Sequence, residues 1–104
     1  MTAKPVVLSK RARRDIDEAW RHYLTEAHPK VAEGLIDELQ SAFALLGRQP
    51  GIGSSRYAHE LNIPSLRSWP IKRYPYLLFY FEHEETIDLI RVLHGARDIP
   101  STLA

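Results

Sequence analysis

The feature that most constrains this chain is a change of hydrophobic period at Pro64. Upstream, apolar residues recur at steps of three and four. Ala12, Ile16, Ala19, Trp20, Tyr23, Leu24 and Ala27 form one stripe, and Val31, Leu35, Leu39, Ala42, Phe43 and Leu46 form another. Such spacing puts each set on one face of an α-helix. Downstream, β-branched and aromatic residues dominate short runs, which is the chemistry of strands. Two amphipathic helices followed by strands must bury their stripes against a sheet, so the expected class is α+β.

Local signals set the boundaries. "KPVVL", from Lys4, reads as a short strand with Pro5 at its start or on an edge. Ser9 is a suitable N-cap for the first helix. His28 and Pro29 close that helix and open the second, with Pro29 as a first helical residue. Gly47 and Pro50 are expected to stop it. "QPGIGSSRY" is a turn-rich loop. Leu66 to Arg73, Tyr74 to His83 and Thr86 to His94 read as strands, the last two joined at "HEE". The short link between the helices implies an antiparallel hairpin. The order is therefore β-α-α-β-β-β, one domain over residues 1–104, with the helical hairpin packed on one face of an antiparallel sheet.

Alternation sorts the sheet residues into two faces. Leu77, Phe79 and Phe81 point one way and are expected in the core; Tyr74, Tyr76, Leu78 and Tyr80 point the other way. On the last strand Ile90 and Val92 share a face, opposite Leu89, Arg91 and Leu93. Two helices cover one face only, and tyrosine and arginine are enriched in protein interfaces. The ring-bearing face is thus expected to meet a partner.

Composition excludes several classes. A chain of 104 residues can remove at best about 65% of its unfolded surface from water, enough for a modest core. A formal net charge of +1 gives no bulk electrostatic case for nucleic-acid binding. There are no cysteines, which rules out disulfides, thiolate zinc sites and thiol nucleophiles and suits a reducing compartment. The N-terminal apolar run precedes its basic residues, the reverse of a signal peptide, and no segment approaches a transmembrane length. A cytoplasmic, non-membrane protein is the simplest reading.

Candidate motifs mostly fail on spacing. "HEETI" has Ile87 where a zinc-protease motif needs its second histidine, and His22, His28, His59 and His94 show no ligand spacing. No metal and no cofactor is expected. "GIG", Gly51 to Gly53, lacks the third glycine and the Lys-Ser/Thr of a phosphate loop and reads as a turn. No serine has the context of a nucleophile elbow.

Basic residues carry the remaining chemistry. "KRARR", Lys10 to Arg14, is the densest cluster and opposes the dipole of its helix; Asp15, Asp17 and Glu18 follow at pairing distance. Binding of an acidic partner segment is the sharper reading of this cluster. Arg56, Arg67, Lys72, Arg73, Arg91 and Arg97, with His59 and His94, make the C-terminal half basic. Such a set can stabilise a phosphorane and move protons in RNA cleavage without a metal. That reaction needs an acid and a base around one phosphate, and in the sequence no Glu or Tyr joins His94 at the strand end.

"LRSWPIKRYPYLLFYF" followed by "TIDLIRVLHGARDI" resembles the C-terminal half of ParE-type toxins of the RelE/ParE superfamily. "LSKRARRDIDEAWRHYL" resembles the first helix of that family. The resemblance implies the element order read above and a toxin neutralised by a ParD-like antitoxin whose C-terminal region wraps it. It also implies DNA gyrase as the target, inhibited by binding and without a direct sequence-specific contact to DNA. RelE relatives instead cut messenger RNA using basic residues with a tyrosine, or an acid and histidine, in the last strand and tail. The tail here, "DIPSTLA", has neither tyrosine nor histidine, which favours the gyrase branch; a RelE-like ribonuclease and an inactive antitoxin-binding homologue are the alternatives. Arg91, His94, Gly95, Arg97 and Asp98 match the family signature, as do Leu66, Arg67, Trp69, Pro70 and Tyr80. The expected target-binding residues are Arg67, Arg73, Tyr76, Tyr80, Arg91, His94 and Arg97, and the expected antitoxin-binding residues are Arg11, Arg14 and Trp20. No catalytic residue is assigned. Gly95 is expected to take a positive φ or a tight turn, and Arg97 to pair with Asp98 and fix the tail.

Overall fold

A computed structural model describes residues 2–103. The chain runs β1 (Val6–Leu8), α1 (Lys10–Glu26), α2 (Pro29–Arg48), a 3-10 turn (Pro50–Ile52), α3 (Arg56–Leu61), β2 (Arg67–Pro70), β3 (Tyr76–Glu82), β4 (Ile87–His94) and α4 (Ile99–Leu103). The α+β class and every expected element are present. The two additions, α3 and α4, are 6 and 5 residues long, too short to leave a periodic stripe.

The helix ends follow their capping chemistry. Ser9 Oγ accepts from the Ala12 amide at 3.0 Å and donates to the Ile90 carbonyl at 2.9 Å, so one hydroxyl caps α1 and fastens it to β4. His28 Nδ1 accepts from the Lys30 amide at 3.1 Å, and Pro29 fills the first position of α2. Gly47 does not end α2, which continues to Arg48. Its missing Cβ instead lets the Lys4 backbone lie against the helix, where the Lys4 amide donates to the Gly47 carbonyl at 2.9 Å.

The sheet order is β1-β4-β3-β2. β2, β3 and β4 are antiparallel as expected, but β1 lies parallel to β4, with Val6 opposite Ile87, so the sheet is mixed. Parallel neighbours need a long crossover, and the helical hairpin with the two intervening strands supplies it. β1 is so short that its ladder stops at Leu89. Beyond that point α1 takes over the edge of β4: the Ser9 amide donates to the Leu89 carbonyl at 3.0 Å, and the Val92 amide donates to Asp15 Oδ2 at 2.9 Å. Between Phe79 and Tyr80 the register shifts, with Phe79 opposite Arg91 and Tyr80 opposite Leu89; Ile90 is the extra residue of a β-bulge.

The expected assignment of faces is overturned. Leu78, Tyr80, Ile87, Leu89 and Val92 pack against α1 and α2, among Ala12, Ala19, Leu35, Leu39 and Leu46. Phe79 lies on the opposite face with Leu66, Leu93 and Ile99, flanked by Leu77 and Phe81, under α3 and α4. Helices therefore cover both faces, and the sheet does not present a bare aromatic side. Alternation separates two sets without saying which meets the larger layer. The tyrosines enter the core because their hydroxyls are satisfied there. Tyr80 OH donates to the Pro50 carbonyl at 2.7 Å and accepts from the Gly53 amide at 3.0 Å, while Tyr74 OH donates to the Val31 carbonyl at 2.7 Å. A Cβ on Gly53 would collide with the Tyr80 hydroxyl. The bulge also splits Ile90 from Val92, which fall in different clusters.

Candidate functional site

The start of β3 and the end of β4 meet beside α1. The Gly95 amide donates to the Pro75 carbonyl at 2.7 Å and closes this end of the sheet. Gly95 sits in a tight turn without a positive φ. There Tyr76, His94 and Arg97 come together around a cleft of about 110 Å³, with Asp15 and Glu18 of α1 on its other wall. The Tyr76 and His94 rings meet edge-on, with centroids 5.4 Å apart. His94 Nδ1 accepts from the Ala96 amide at 3.0 Å, which leaves Nε2 as the free ring nitrogen of an exposed side chain. Tyr23 packs edge-on against Tyr74 and Tyr76, at 5.3 and 6.4 Å. Burial, reinforced by the neighbouring Tyr23, pushes the Tyr76 phenol up, against the opposing pull of Arg97. Tyr76 is accordingly a hydrogen-bond donor at neutral pH rather than a base.

Three of the other expected target-binding residues, Arg67, Tyr80 and Arg91, are engaged inside the fold. Arg91 donates from Nε and Nη2 to the two carboxylate oxygens of Asp15, at 2.8 and 3.0 Å, with only 11% and 9% of the two side chains exposed. Bidentate pairing of this kind orients both groups and withdraws Arg91 from any external anion. Tyr80 is fully buried. Arg67 Nη1 donates to the carbonyls of Gly51 and Gly53, at 3.2 and 2.8 Å, so Arg67 and Tyr80 jointly pin the turn after α2. Arg73 reaches Glu38 of α2 at 3.2 Å, but its side chain is 70% exposed and the pair is a surface one. Asp98 does not pair with Arg97; its carbonyl accepts from the amide and hydroxyl of Thr102, at 3.1 and 2.8 Å, and starts α4. Three of the seven candidates therefore serve the architecture; Tyr76, His94 and Arg97 remain available at the cleft, and Arg73 on the surface beside α2.

Asp15, Glu18 and Tyr23 were not singled out as site residues. One signal was present in the sequence. Asp15 stands three residues after Ala12 and four before Ala19, on the flank of the buried stripe, where a carboxylate needs a partner.

A second feature lies on the far side of α1. Leu8, Ile16, Trp20 and Ile36 line an apolar groove of about 390 Å³, with Arg13 and Asp17 at its rim. Trp20 belongs to it; Arg11 and Arg14 are exposed and do not line it. Leu24 continues the exposed apolar surface further along α1. Among the described residues, no helix is long and apolar enough to cross a membrane, and no group of three or more His, Asp or Glu could hold a metal ion.

The family described as ParE toxin of type II toxin-antitoxin system, parDE, matches this sequence over residues 6–99. Among solved structures, a chain of the "Chromosomal ParDE TA system from P. aeruginosa" superposes with a TM-score of 0.72. It has 17% identity and is covered over 88% of this chain and 96% of that chain. No curated protein matches the sequence. The fold and the family match together define a toxin of the type II toxin–antitoxin class. The chain belongs to the ParE toxin family.

Proposed function

We propose that this chain inhibits DNA gyrase by binding it, does no covalent chemistry itself, and is held inactive by a ParD-like antitoxin in the cytoplasm. The observation that carries this reading is the fate of the arginines. Arg67 and Arg91 are taken up by carbonyls and a carboxylate of the fold and Arg73 lies away beside Glu38, which leaves Arg97 as the cation beside His94 and Tyr76. A cleft with a donor tyrosine, an exposed imidazole and one free guanidinium suits recognition of a protein surface. RNA cleavage by 2′-hydroxyl attack calls for several cations on one phosphate. A supercoiling assay with purified gyrase tests the proposal: supercoiling falls as the toxin is added, and unchanged supercoiling at large toxin excess would overturn it.

The antitoxin reading is supported by the apolar groove of Leu8, Ile16, Trp20 and Ile36, whose exposure in the free chain invites a covering segment. An antitoxin lacking its C-terminal region should no longer bind or neutralise the toxin. One observation favours a second reading, metal-independent cleavage of messenger RNA. His94, Tyr76 and Glu18 share a cleft, although they stand far apart in the chain. Ribosome-dependent cuts on expression would select it.

A further inference from the structure

We propose that the first turns of α1, Lys10, Arg11, Arg13 and Arg14, form a docking surface for the phosphate backbone of duplex DNA, contacted without regard to base sequence. This goes beyond gyrase binding, because it concerns the isolated toxin and a different part of its surface. All four side chains are exposed, and among the described residues none of them makes an ion pair or a side-chain hydrogen bond. Of the three carboxylates that follow at helical spacing, Asp15 is committed to Arg91 and the Val92 amide and Asp17 to Arg21 at 2.9 Å, while Glu18 makes no ion pair among the described residues and lines the cleft of His94 and Arg97. The fold thus leaves four cations against at most one uncommitted carboxylate, at the helix end where cations work against the dipole.

The distribution of these charges selects the partner. At about 100° per residue the four positions fan over an arc of about 160°. Only Arg13 reaches the rim of the Trp20 groove. A peptide seated in that groove would meet one of the cations and leave the other three unused. Long cationic side chains diverging over that arc can reach phosphates on both sides of a duplex groove, as in backbone-only recognition. No aromatic residue stands between Ser9 and Arg14 to stack an unpaired base, so duplex is favoured over single strands.

Fluorescence anisotropy of the purified full-length toxin with a labelled 20-base-pair duplex tests this directly, without gyrase. Four phosphate contacts predict a loss of affinity of about 10²-fold between 50 and 200 mM salt. Changing Arg11, Arg13 and Arg14 together to Gln should reduce that to about 4-fold and weaken binding at low salt, whereas the three Lys variants at the same positions should keep it. The control is Lys30→Gln with Arg48→Gln and Lys72→Gln, exposed cations elsewhere that remove the same charge. Circular dichroism confirms that each variant is folded. Equal loss in test and control variants would overturn the proposal, as would no binding of wild type at 50 mM salt. Binding of polyglutamate but not of the duplex would overturn it in favour of an acidic protein partner.

Discussion

Asp15 on α1 and Arg91 on β4 are 76 residues apart in sequence and joined by two charge-assisted hydrogen bonds, with the Val92 amide as a third donor to the same carboxylate. The short β1 leaves this stretch of β4 without a neighbouring strand on that side, and a side chain completes the edge. Asp15→Ala would strand a largely buried guanidinium and a backbone donor. A destabilisation of about 3 kcal/mol follows, equivalent to a fall of about 15 °C in Tm, measurable by thermal unfolding.

The same geometry separates fold from function among the basic residues. Arg91→Ala should lower stability to a similar degree. Arg97→Ala and His94→Ala, at exposed positions, should leave stability within about 0.5 kcal/mol of wild type and reduce inhibition of gyrase. Parallel urea melts and supercoiling titrations of the three variants check this; loss of stability in the Arg97 variant would refute it.

Tyr80 and Gly53 are coupled by close approach. Gly53→Ala drives a methyl group into the Tyr80 hydroxyl and should cost about 2 kcal/mol. Tyr80→Phe leaves the Gly53 amide without its partner and should cost about 1–3 kcal/mol. The double variant should be more stable than the sum of the two losses predicts, because the collision is gone. A double-mutant cycle in urea measures the difference.

Alkaline stability should depend on the same residue. Burial, the largest cause, raises the Tyr80 phenol above its ordinary 10.0, so the unfolded chain ionises first as pH climbs. The stabilisation is complete below about pH 10 and is lost as pH rises from there through the folded-state value. Urea melts from pH 8 to 11 should show a steeper decline for wild type than for Tyr80→Phe.

Trp20→Ala opens the groove between α1 and α2. Affinity for the antitoxin should fall by about 2 kcal/mol or more, with smaller effects from Arg11→Ala and Arg14→Ala, which lie outside the groove. Titration calorimetry on the separated partners provides the comparison.

Much of the architecture could be read from the sequence, because periodicity and caps act locally. Ser9, Pro29 and the two helical stripes set α1 and α2 where expected. The strand after Pro64 ended early, since Arg73 adopts a left-handed conformation in the turn before Tyr76. What alternation could not provide was the identity of the layer each face meets. Tyr80 and Phe79 are both fully buried, on opposite sides, and nothing local distinguishes a tyrosine with a waiting carbonyl from one in water. The site suffered for the same reason. Arg91 looked like a surface cation until its partner, contributed from the far end of the chain, was known.

β1 is made well before β4, the strand it pairs with, because three α-helices and two strands lie between them in the chain. The sheet cannot be completed until β4 has left the ribosome, and contacts of such long range are slow to form. A newly made copy therefore passes through an interval in which β4 has no parallel neighbour and the sheet is incomplete.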